Sequence, residues 1–376
     1  MDNSKSFTEL YNKIYGCILG GAVGDAFGCP MECRDYRDIE RIFGHIKDFK
    51  DIEDNIYKMK NEKYAPFQRE MIGKVSDDTV LCDVLIRCII QNNGKISAYE
   101  FAKQWETIDE AIKYEDGIEF IPLDGLHFLE KISFYRNKLI AIEKRELGHG
   151  SVQNTDAIMY IAPIGIICAG DMLEAELMAV DITSVHSYGR SRDVAGGFCA
   201  AIAACFIPGM SVDNIVQIAI DHIRDHFSTL KVKSIVSLSY DCKDCNEFIK
   251  RYYEEIIGKI IPYKDDNHIN YNDLCVTWDC AEVLGIALAT FIITKGENGE
   301  EMIRASACIG RDADTIARTA GCLIGAYKGV TAIPEGWAEY VKEKNMWMQL
   351  EEKALKLTQI VTDKLNDKIN IYNKII

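Results

Sequence analysis

Two carboxylates and a hydroxyl lie close together in a short stretch of the C-terminal third of the sequence. Asp312 and Asp314 are separated by one residue, and Thr315 follows directly. One such side chain is enough to cap a helix, so a capped helix is the simplest structural interpretation. Aimed at one point, all three would instead offer the oxygen ligands that a hard cation such as Mg²⁺ prefers. The stretch therefore predicts a helix start, a metal site, or both.

A second acidic pair precedes a run with helical periodicity. Asp77 and Asp78 lie between Ser76 and Thr79, and apolar residues then recur at helical spacing as far as Ile89. Ser76 is a good N-terminal cap, and acidic residues in a first turn suit the helix dipole. Both aspartates cannot cap one helix, however, and adjacent like charges repel. The pattern predicts a helix that starts at this pair, with a further role for its charges.

Glu32 is a third acidic position, at the end of the glycine-rich segment 20–32. If Glu32 and the two pairs share one cleft, five carboxylates lie together. Two unit charges about 4 Å apart repel by roughly 4 kcal/mol at an effective dielectric near 20, so this group needs protons or cations. Two divalent ions would nearly neutralise it, with the hydroxyls of Ser76 and Thr315 as further ligands. Paired metals bind vicinal oxygens and activate water.

A loop rich in Gly, Ser and Asn spans residues 148–154. Loops of this kind present backbone N–H groups to anions, although most are only turns, and Gly150, Ser151 and Asn154 are the candidate binding residues here. Asp156 follows the loop. Its carboxylate either caps a helix beginning near Ala157, which is the interpretation we favour, or points into the cleft and opposes an anion.

The elements that must position these residues are predominantly helices. Prolines are few, and alternating β patterns are rare. The glycines of segment 20–28 either break the first helix or let it pack closely on a neighbour. We predict one all-α domain over residues 1–376, with inserted helical lobes at about 98–147 and 209–270. The predicted helices cover residues 8–23, 77–91, 157–169, 194–205, 276–294, 301–309, the stretch from about 313 to 329, and the tail from about 351.

Composition excludes several classes of protein. The net charge of −15 argues against nucleic acid as a partner. No signal peptide is evident, and no apolar run reaches the roughly 20 residues that a membrane helix needs. The 14 cysteines are scattered, as in a reduced cytoplasmic protein. Cys242 and Cys245 have zinc-like spacing but lack a second pair, which makes a zinc site an unfavourable interpretation.

Taken together, these motifs resemble the ADP-ribosylglycohydrolase family, which includes the dinitrogenase reductase-activating glycohydrolase. The resemblance covers nearly the whole chain in order. The motifs that carry it are Gly20–Glu32, Ser76–Thr79, the Ala162-Pro163-Ile164-Gly165 segment, Ser184-Val185-His186, the run Gly310–Gly329, and the pair Pro334 and Trp337. The two acidic motifs at this separation are specific in combination.

The resemblance implies a compact orthogonal multi-helix bundle with a dinuclear metal cleft that holds two Mg²⁺, sometimes Mn²⁺. It implies cleavage of the bond between the anomeric carbon of ADP-ribose and a protein side chain or small molecule. Glu32 matches a glutamate implicated in gating and water activation, His186 matches a residue of the ribose–phosphate pocket, and loop 148–154 stands where the family holds the diphosphate. The residues that match the family's metal ligands are Ser76, Asp77, Asp78, Asp312, Asp314 and Thr315.

The phosphate half of the motif set departs from the family pattern. Asp156 stands where the family has a glycine, Tyr160 where it has an arginine, and Arg311 where many members have a small residue. A negative charge near a diphosphate is unfavourable. Three functions therefore remain open: an ADP-ribosyl-acceptor hydrolase, a nucleoside or other N-riboside hydrolase that uses the same metal–ribose contacts, and a non-catalytic protein like the lens crystallins of the family. For the catalytic water, Glu32 and Asp77 are equal candidates.

Overall fold

Helices make up nearly all the regular structure of this computed structural model, which describes residues 3–59, 65–114, 117–140, 142–258 and 278–376. The all-α class is confirmed. The first nine helices are α1 (Asn3–Gly28), α2 (Tyr36–Phe43), α3 (Phe49–Asn55), α4 (Ala65–Glu70), α5 (Asp77–Gln91), α6 (Ala98–Trp105), α7 (Phe128–Leu139), α8 (Ala162–Ile167) and α9 (Met172–Thr183).

The remaining α-helices lie beyond residue 189. They are α10 (Arg190–Cys205), α11 (Val212–Asp221), α12 (His226–Tyr240), α13 (Cys245–Arg251), α14 (Cys280–Ile293), α15 (Gly299–Cys308), α16 (Ala313–Lys328), α17 (Glu335–Lys344) and α18 (Leu350–Ile375). A π-helical turn, Tyr252–Ile257, continues α13. Short 3₁₀ turns include Cys29–Met31 after α1 and Thr155–Ala157 before α8.

The antiparallel pairing of α1 with α16 forms the centre of the molecule, and glycines set its closeness. A Cβ atom at Gly24 would lie 2.1 Å from the carbonyl oxygen of Ala317, and one at Gly20 would lie 2.3 Å from that of Gly321. Only glycine lets two backbones approach this far. The glycine-rich segment therefore does not break α1. It brings the C-terminal turns of α1 against the first turns of α16.

We expect Gly24→Ala to destabilise the protein by roughly 2–3 kcal/mol, because overpacked sites in a tight core force backbone shifts. Gly336→Ala is the matched control. Gly336 lies in α17, and a Cβ added there meets no atom within 4 Å, so alanine should be neutral or stabilising by up to about 1 kcal/mol. Urea unfolding of both variants tests the expectation, and equal midpoints would show that the helix crossing tolerates a methyl group.

Two further layers surround this pair. α14 is buried from Cys280 to Phe291 and is apolar except for Glu282 and Thr290, as expected for a helix enclosed by others. It packs between α12 and α16, and α10 packs on α8, α9 and α11. α5 contacts both α1 and α18, which places its N-terminus beside the C-terminal turns of α1.

Several predicted boundaries are wrong for identifiable reasons. α1 runs five residues further at each end than the predicted 8–23. Its C-terminal extension arises because the glycines pack instead of turning. The predicted helix over 157–169 is a 3₁₀ turn followed by the short α8, since Pro163 fits only a first helical turn. The lobe at 98–147 also contains a hairpin of two-residue strands, β1 (Ile112–Lys113) and β2 (Glu119–Phe120), in which Ile112 pairs with Phe120. The end of the lobe predicted at 209–270 lies outside the described residues.

The expectation about apolar runs also needs correction. Residues Ser6–Met31 are long enough for a membrane-spanning helix, and an 18-residue window there reaches a mean hydropathy of 1.2. That window is entirely buried inside the protein, so its apolar surface is accounted for by the contacts of α1 within the bundle.

Candidate functional site

The carboxylates of α1 and α16 meet because the two helices cross so closely. Asp25 lies in the last turns of α1 and is completely buried. Ligand atoms of Asp25, Cys29 and Asp314 all lie within 4.8 Å of one another. The Cys29 thiol is 3.5 Å from Asp25 Oδ1 and 4.0 Å from Asp314 Oδ2. Three potential ligands, from α1, the 3₁₀ turn after it and α16, therefore converge on one point.

Glu32 completes a second convergent group on the solvent side. It follows the turn Cys29–Met31 and is half-buried. One carboxylate oxygen each from Glu32, Asp312 and Asp314 lies within 4.8 Å of the others. Asp314 belongs to both groups, which makes it the central carboxylate of the site.

The N-terminus of α5 attaches to this site through Asp25. The backbone N–H of Ser76 donates to Asp25 Oδ1 at 2.9 Å, and that of Thr79 donates to Oδ2 at 3.1 Å. Ser76 is the N-cap, as predicted, because its side chain accepts from the N–H of Asp78. Asp25 was missed as a functional residue. The available signal was the position of Asp25 directly after Gly24, one of the glycines spaced four residues apart along α1. Because these glycines form the contact with α16, the neighbouring carboxylate lies beside that contact.

Burial makes ionisation of these carboxyl groups unfavourable. The pKa of Glu32 is raised to about 7 by burial and then by Asp312, and burial raises the pKa of Asp312 to about 6. The pKa of Asp314 is well above its usual range because of burial, Glu32 and Asp78. The pKa of Asp78 is also well above its usual range, through burial and Asp25, although Arg318 acts in the opposite direction.

Arg318 supplies a buried positive charge beside this group. Its guanidinium donates to Thr79 Oγ1 at 2.7 Å and to the carbonyl oxygen of Met159. One cation cannot neutralise six carboxylates, namely those of Asp25, Glu32, Asp77, Asp78, Asp312 and Asp314. The remaining charge requires protons or further cations.

The oxygen atoms available fit a divalent cation such as Mg²⁺. Among the described residues, four buried carboxylate oxygens have no hydrogen-bond partner. Three of them belong to this group, namely Asp78 Oδ2, Asp312 Oδ2 and Asp314 Oδ1, and the fourth is Glu130 Oε2. Thr315 Oγ1 donates to Asp312 Oδ1 at 2.9 Å, which leaves its lone pairs free. An all-oxygen set of this kind suits hard cations. Asp312 occupies the N-cap position of α16 without a capping hydrogen bond, so its carboxylate is not used as a cap.

Asp77 lies between the shared carboxylates and a second acidic group, the acidic wall formed by Glu130 and Asp156, since charges of both groups act on it. Its Oδ2 lies 3.3 Å from His127 Nδ1. Burial, Glu130 and then Asp78 raise its pKa. Glu130 is only 2% exposed, and its Oε2 has no partner among the described side chains. Sequence reasoning missed Glu130, because an acidic residue in a helix with polar neighbours is usually solvated.

Asp156 belongs to this wall, and the favoured prediction that it caps a helix is wrong. It lies inside the turn Thr155–Ala157, whose N-cap Asn154 makes no side-chain capping bond, and α8 begins only at Ala162. Asn154 Nδ2 donates to Asp156 Oδ1 at 2.5 Å. Burial, followed by the charge of Glu130 and a hydrogen bond with it, holds the pKa of Asp156 well above its usual range.

The other predicted binding residues differ in their exposure to solvent. Gly150 is exposed with a φ of +81°, and Ser151 is half-buried. The backbone N–H of Ser151 donates to Gly148 at 3.0 Å, so that group is already used within the loop. His186 is buried against Trp105. Its Nε2–H donates to the carbonyl oxygen of Asp156 at 2.9 Å, and this hydrogen bond stabilises the turn Thr155–Ala157. Contact of these residues with a substrate remains a prediction.

Arg311, noted as a departure from the family, is part of a buried ion pair behind the site. Its Nε contacts Glu282 Oε1, and its Nη2 donates to Glu282 Oε2 at 3.1 Å. Tyr252 donates to Glu282 at 2.7 Å. Against the effect of burial, Arg311 and then Lys231 lower the pKa of Glu282 to about 2. The pair anchors the residue immediately before Asp312 to α14.

Stability should depend on this pair at low pH. The folded pKa of Glu282 lies below the ordinary value of 4.5, so its contribution is full above that pH and is lost as pH falls toward 2. We expect Glu282→Gln to cost roughly 3 kcal/mol at neutral pH, because it leaves a buried guanidinium without its counter-charge. The variant should also lose less stability than the wild type between pH 4.5 and 3. Denaturant unfolding at several pH values tests this, and parallel pH profiles would contradict it.

Comparison with known proteins agrees with this architecture. The sequence profile of the ADP-ribosylglycohydrolase family matches residues 6–366. An uncharacterized protein of Archaeoglobus fulgidus is 26% identical over 356 residues, which cover 93% of this chain and 97% of that protein. The solved structure of an ADP-ribosylglycohydrolase-related protein complex superposes with a TM-score of 0.60 and 17% identity, over 94% of this chain and 99% of that one, and thus shows the same fold. The profile match extends over nearly the whole chain, and the protein belongs to the ADP-ribosylglycohydrolase family.

Proposed function

We propose that this protein is a Mg²⁺-dependent hydrolase that cleaves the N- or O-glycosidic bond between ADP-ribose and an acceptor, either a protein side chain or a small molecule. Family membership supports glycohydrolase activity. The observation that carries the proposal is the convergence of Glu32, Asp312 and Asp314, in which Asp312 and Asp314 each have a buried oxygen without a hydrogen-bond partner. A crystallin-like protein without catalysis would have no need for such a costly group of charges.

The proposed ligands of two Mg²⁺, or sometimes Mn²⁺, are Ser76, Asp77, Asp78, Asp312, Asp314 and Thr315. When bound, the cations would neutralise the carboxylates and hold the 2- and 3-hydroxyls of the ribose. The protein's own contribution is to shield these oxygens from water and to hold them in a fixed arrangement. Asp25, which already accepts two backbone N–H groups at the start of α5, aligns that helix end with α16.

Glu32 is our choice for the residue that accepts a proton from the attacking water. Its pKa of about 7 suits a base near neutral pH, and its carboxylate is half-exposed beside Asp312 and Asp314. Asp77 contacts His127 and Glu130 instead. In the reaction, the bond from the anomeric carbon to the acceptor breaks through an oxocarbenium-like state. The water oxygen bonds to that carbon, and the acceptor leaves with a proton.

A second candidate function is hydrolysis of a nucleoside or other riboside without a diphosphate. The acidic wall formed by Glu130 and Asp156 favours it. Burial and Glu130 raise the pKa of Asp156. Asp156 follows the loop where the family holds its diphosphate, and an ionised carboxylate there would oppose a diphosphate. We place either activity in the cytoplasm, consistent with the free cysteines of the described chain.

One assay separates the two functions. The protein is incubated with Mg²⁺ and with arginine- and serine-linked ADP-ribose conjugates or plain nucleosides, and products are identified by mass spectrometry. Release of ADP-ribose supports the first function, and release of a base or ribose from a nucleoside supports the second. Hydrolysis of neither class, or equal rates after EDTA treatment, would contradict the proposal of a Mg²⁺-dependent glycohydrolase.

ADP-ribose affinity tests the acidic wall directly. We expect Asp156→Asn alone to change this affinity by less than about threefold, because the carboxyl group of Glu130 remains beside position 156. The double variant Glu130→Gln/Asp156→Asn removes both carboxyl groups. Unchanged affinity in the double variant would support an ADP-ribose substrate. A gain of about tenfold, or roughly 1.4 kcal/mol, would support a substrate without the diphosphate.

A further inference from the structure

Trp278 contacts Glu32 and lies outside every motif described so far. Its indole Nε1–H donates to Glu32 Oε1 at 3.4 Å. The side chain is 44% exposed, and Trp278 directly precedes Asp279, the N-cap of α14. The indole therefore joins the N-terminus of α14 to the carboxylate proposed as the base.

The backbone holds this indole in a defined place. Trp278 has a φ of +42°, which is rare for a bulky aromatic residue and is found mostly where surrounding structure enforces it. The next residue is itself held in place. Asp279 accepts from the N–H of Ala281 at 2.8 Å, and its carboxylate lies 3.4 Å from the guanidinium of Arg190. Because Asp279 is anchored, the backbone of Trp278, from which the indole extends, is held beside Glu32.

The backbone of Glu32 is anchored as well. Gln68 Nε2 donates to the carbonyl oxygen of Glu32 at 2.6 Å, and the N–H of Cys33 donates to the carbonyl of Arg311 at 2.5 Å. These bonds do not act on the carboxylate. Its orientation depends on its side-chain partners, of which the indole N–H is the strongest donor. The weaker thiol of Cys33 lies 3.6 Å from the same oxygen.

We propose that Trp278 is a positioning residue, whose indole N–H keeps the carboxylate of Glu32 against Asp312 and Asp314, where the attacking water is to be activated. The inference rests on the proposed function and assigns a role to a residue that no family motif includes. Pre-organised orientation of a catalytic group raises turnover more than substrate affinity. Loss of the indole N–H should thus act on kcat and do so through Glu32.

The kinetic test uses Trp278→Phe, which keeps an aromatic ring and removes the N–H donor. We expect kcat to fall about tenfold with KM within about twofold. In a double-mutant cycle, Trp278→Phe should have no further effect on a Glu32→Gln enzyme, because the group it positions is already inactive. Trp347→Phe is the control, since this half-buried ring stacks on Phe120 away from the carboxylates. An unchanged kcat in Trp278→Phe, or a full further loss in the Glu32→Gln background, would overturn the positioning role.

A measurement independent of activity completes the test. The protein has four tryptophans, and the indole N–H resonance of Trp278 is identified by its absence from the NMR spectrum of Trp278→Phe. In Glu32→Ala, we expect this resonance alone to shift. No shift would overturn the contact and the inference with it. A shift in a protein that hydrolyses no riboside would overturn the proposed function and hence the role in catalysis, whereas a shift with normal kcat in Trp278→Phe would overturn the positioning role alone.

Discussion

Asp314→Ala should abolish both Mg²⁺ binding and hydrolysis and leave the fold intact or more stable. Asp314 belongs to both convergent groups of ligands, and its Oδ1 has no partner among the described residues. Even residues that only support a metal ligand commonly contribute 10–100-fold to affinity, so removal of the central carboxylate should cost at least about a hundredfold. In the absence of cations, however, the substitution removes a carboxyl group whose ionisation is unfavourable, because burial, Glu32 and Asp78 raise the pKa of Asp314.

Two measurements check this expectation. Titration calorimetry with MgCl₂ should detect binding to the wild type and to Asp367→Ala, a control that removes an exposed carboxylate of α18, but not to Asp314→Ala. Thermal unfolding in EDTA should give an equal or higher Tm for Asp314→Ala, whereas added Mg²⁺ should raise the Tm of the wild type only. Undiminished Mg²⁺ binding by the variant would show that the site assignment is wrong.

The parts of the site predictable from sequence are those set by local chemistry. The cap at Ser76 could be read from its position before two acids and an apolar helical run, and α5 begins there. The end of α5 at Asn92-Asn93-Gly94 follows from the same kind of signal. The family motifs and the all-α class were likewise available, because they depend on residue order and periodicity.

The remainder depends on which helices meet, and periodicity does not contain that information. Glycines at positions such as 20 and 24 were compatible with either a turn or a close crossing, and only the partner helix α16 decides between them. Asp25 and Glu130 looked like ordinary polar residues until packing buried them. The two-residue strands near Ile112 and Phe120 are too short for an alternating pattern to be detected.

Asp156 illustrates a second limit, because a local rule gave the wrong answer there. An acid before an apolar run caps a helix more often than not, but the chain makes a 3₁₀ turn before α8 begins. The carboxylate is then free to bond with Asn154 and Glu130. Glu130 lies on α7, and its pairing with Asp156 comes from the tertiary fold. Asp156, which departs from the family pattern, thus lies beside Glu130, which belongs to none of the motifs.

Glu32→Gln should lower kcat by at least about a hundredfold, the usual scale for loss of a general base, with only a modest loss of Mg²⁺ affinity. Glutamine keeps the shape of the side chain and can still accept the indole N–H, but it cannot take a proton from water. Glu32 follows a 3₁₀ turn and is half-exposed, whereas Asp78 and Asp314 lie in the first turns of buried helices. The aspartates are therefore better placed to bind the cations, and Glu32 to carry out proton transfer.

Steady-state kinetics and Mg²⁺ calorimetry on the same preparation separate these roles, with Glu40→Gln on α2 as a control at an exposed glutamate. Near-normal turnover would remove Glu32 from the mechanism, and an equal collapse of Mg²⁺ binding would make it a ligand instead of a base.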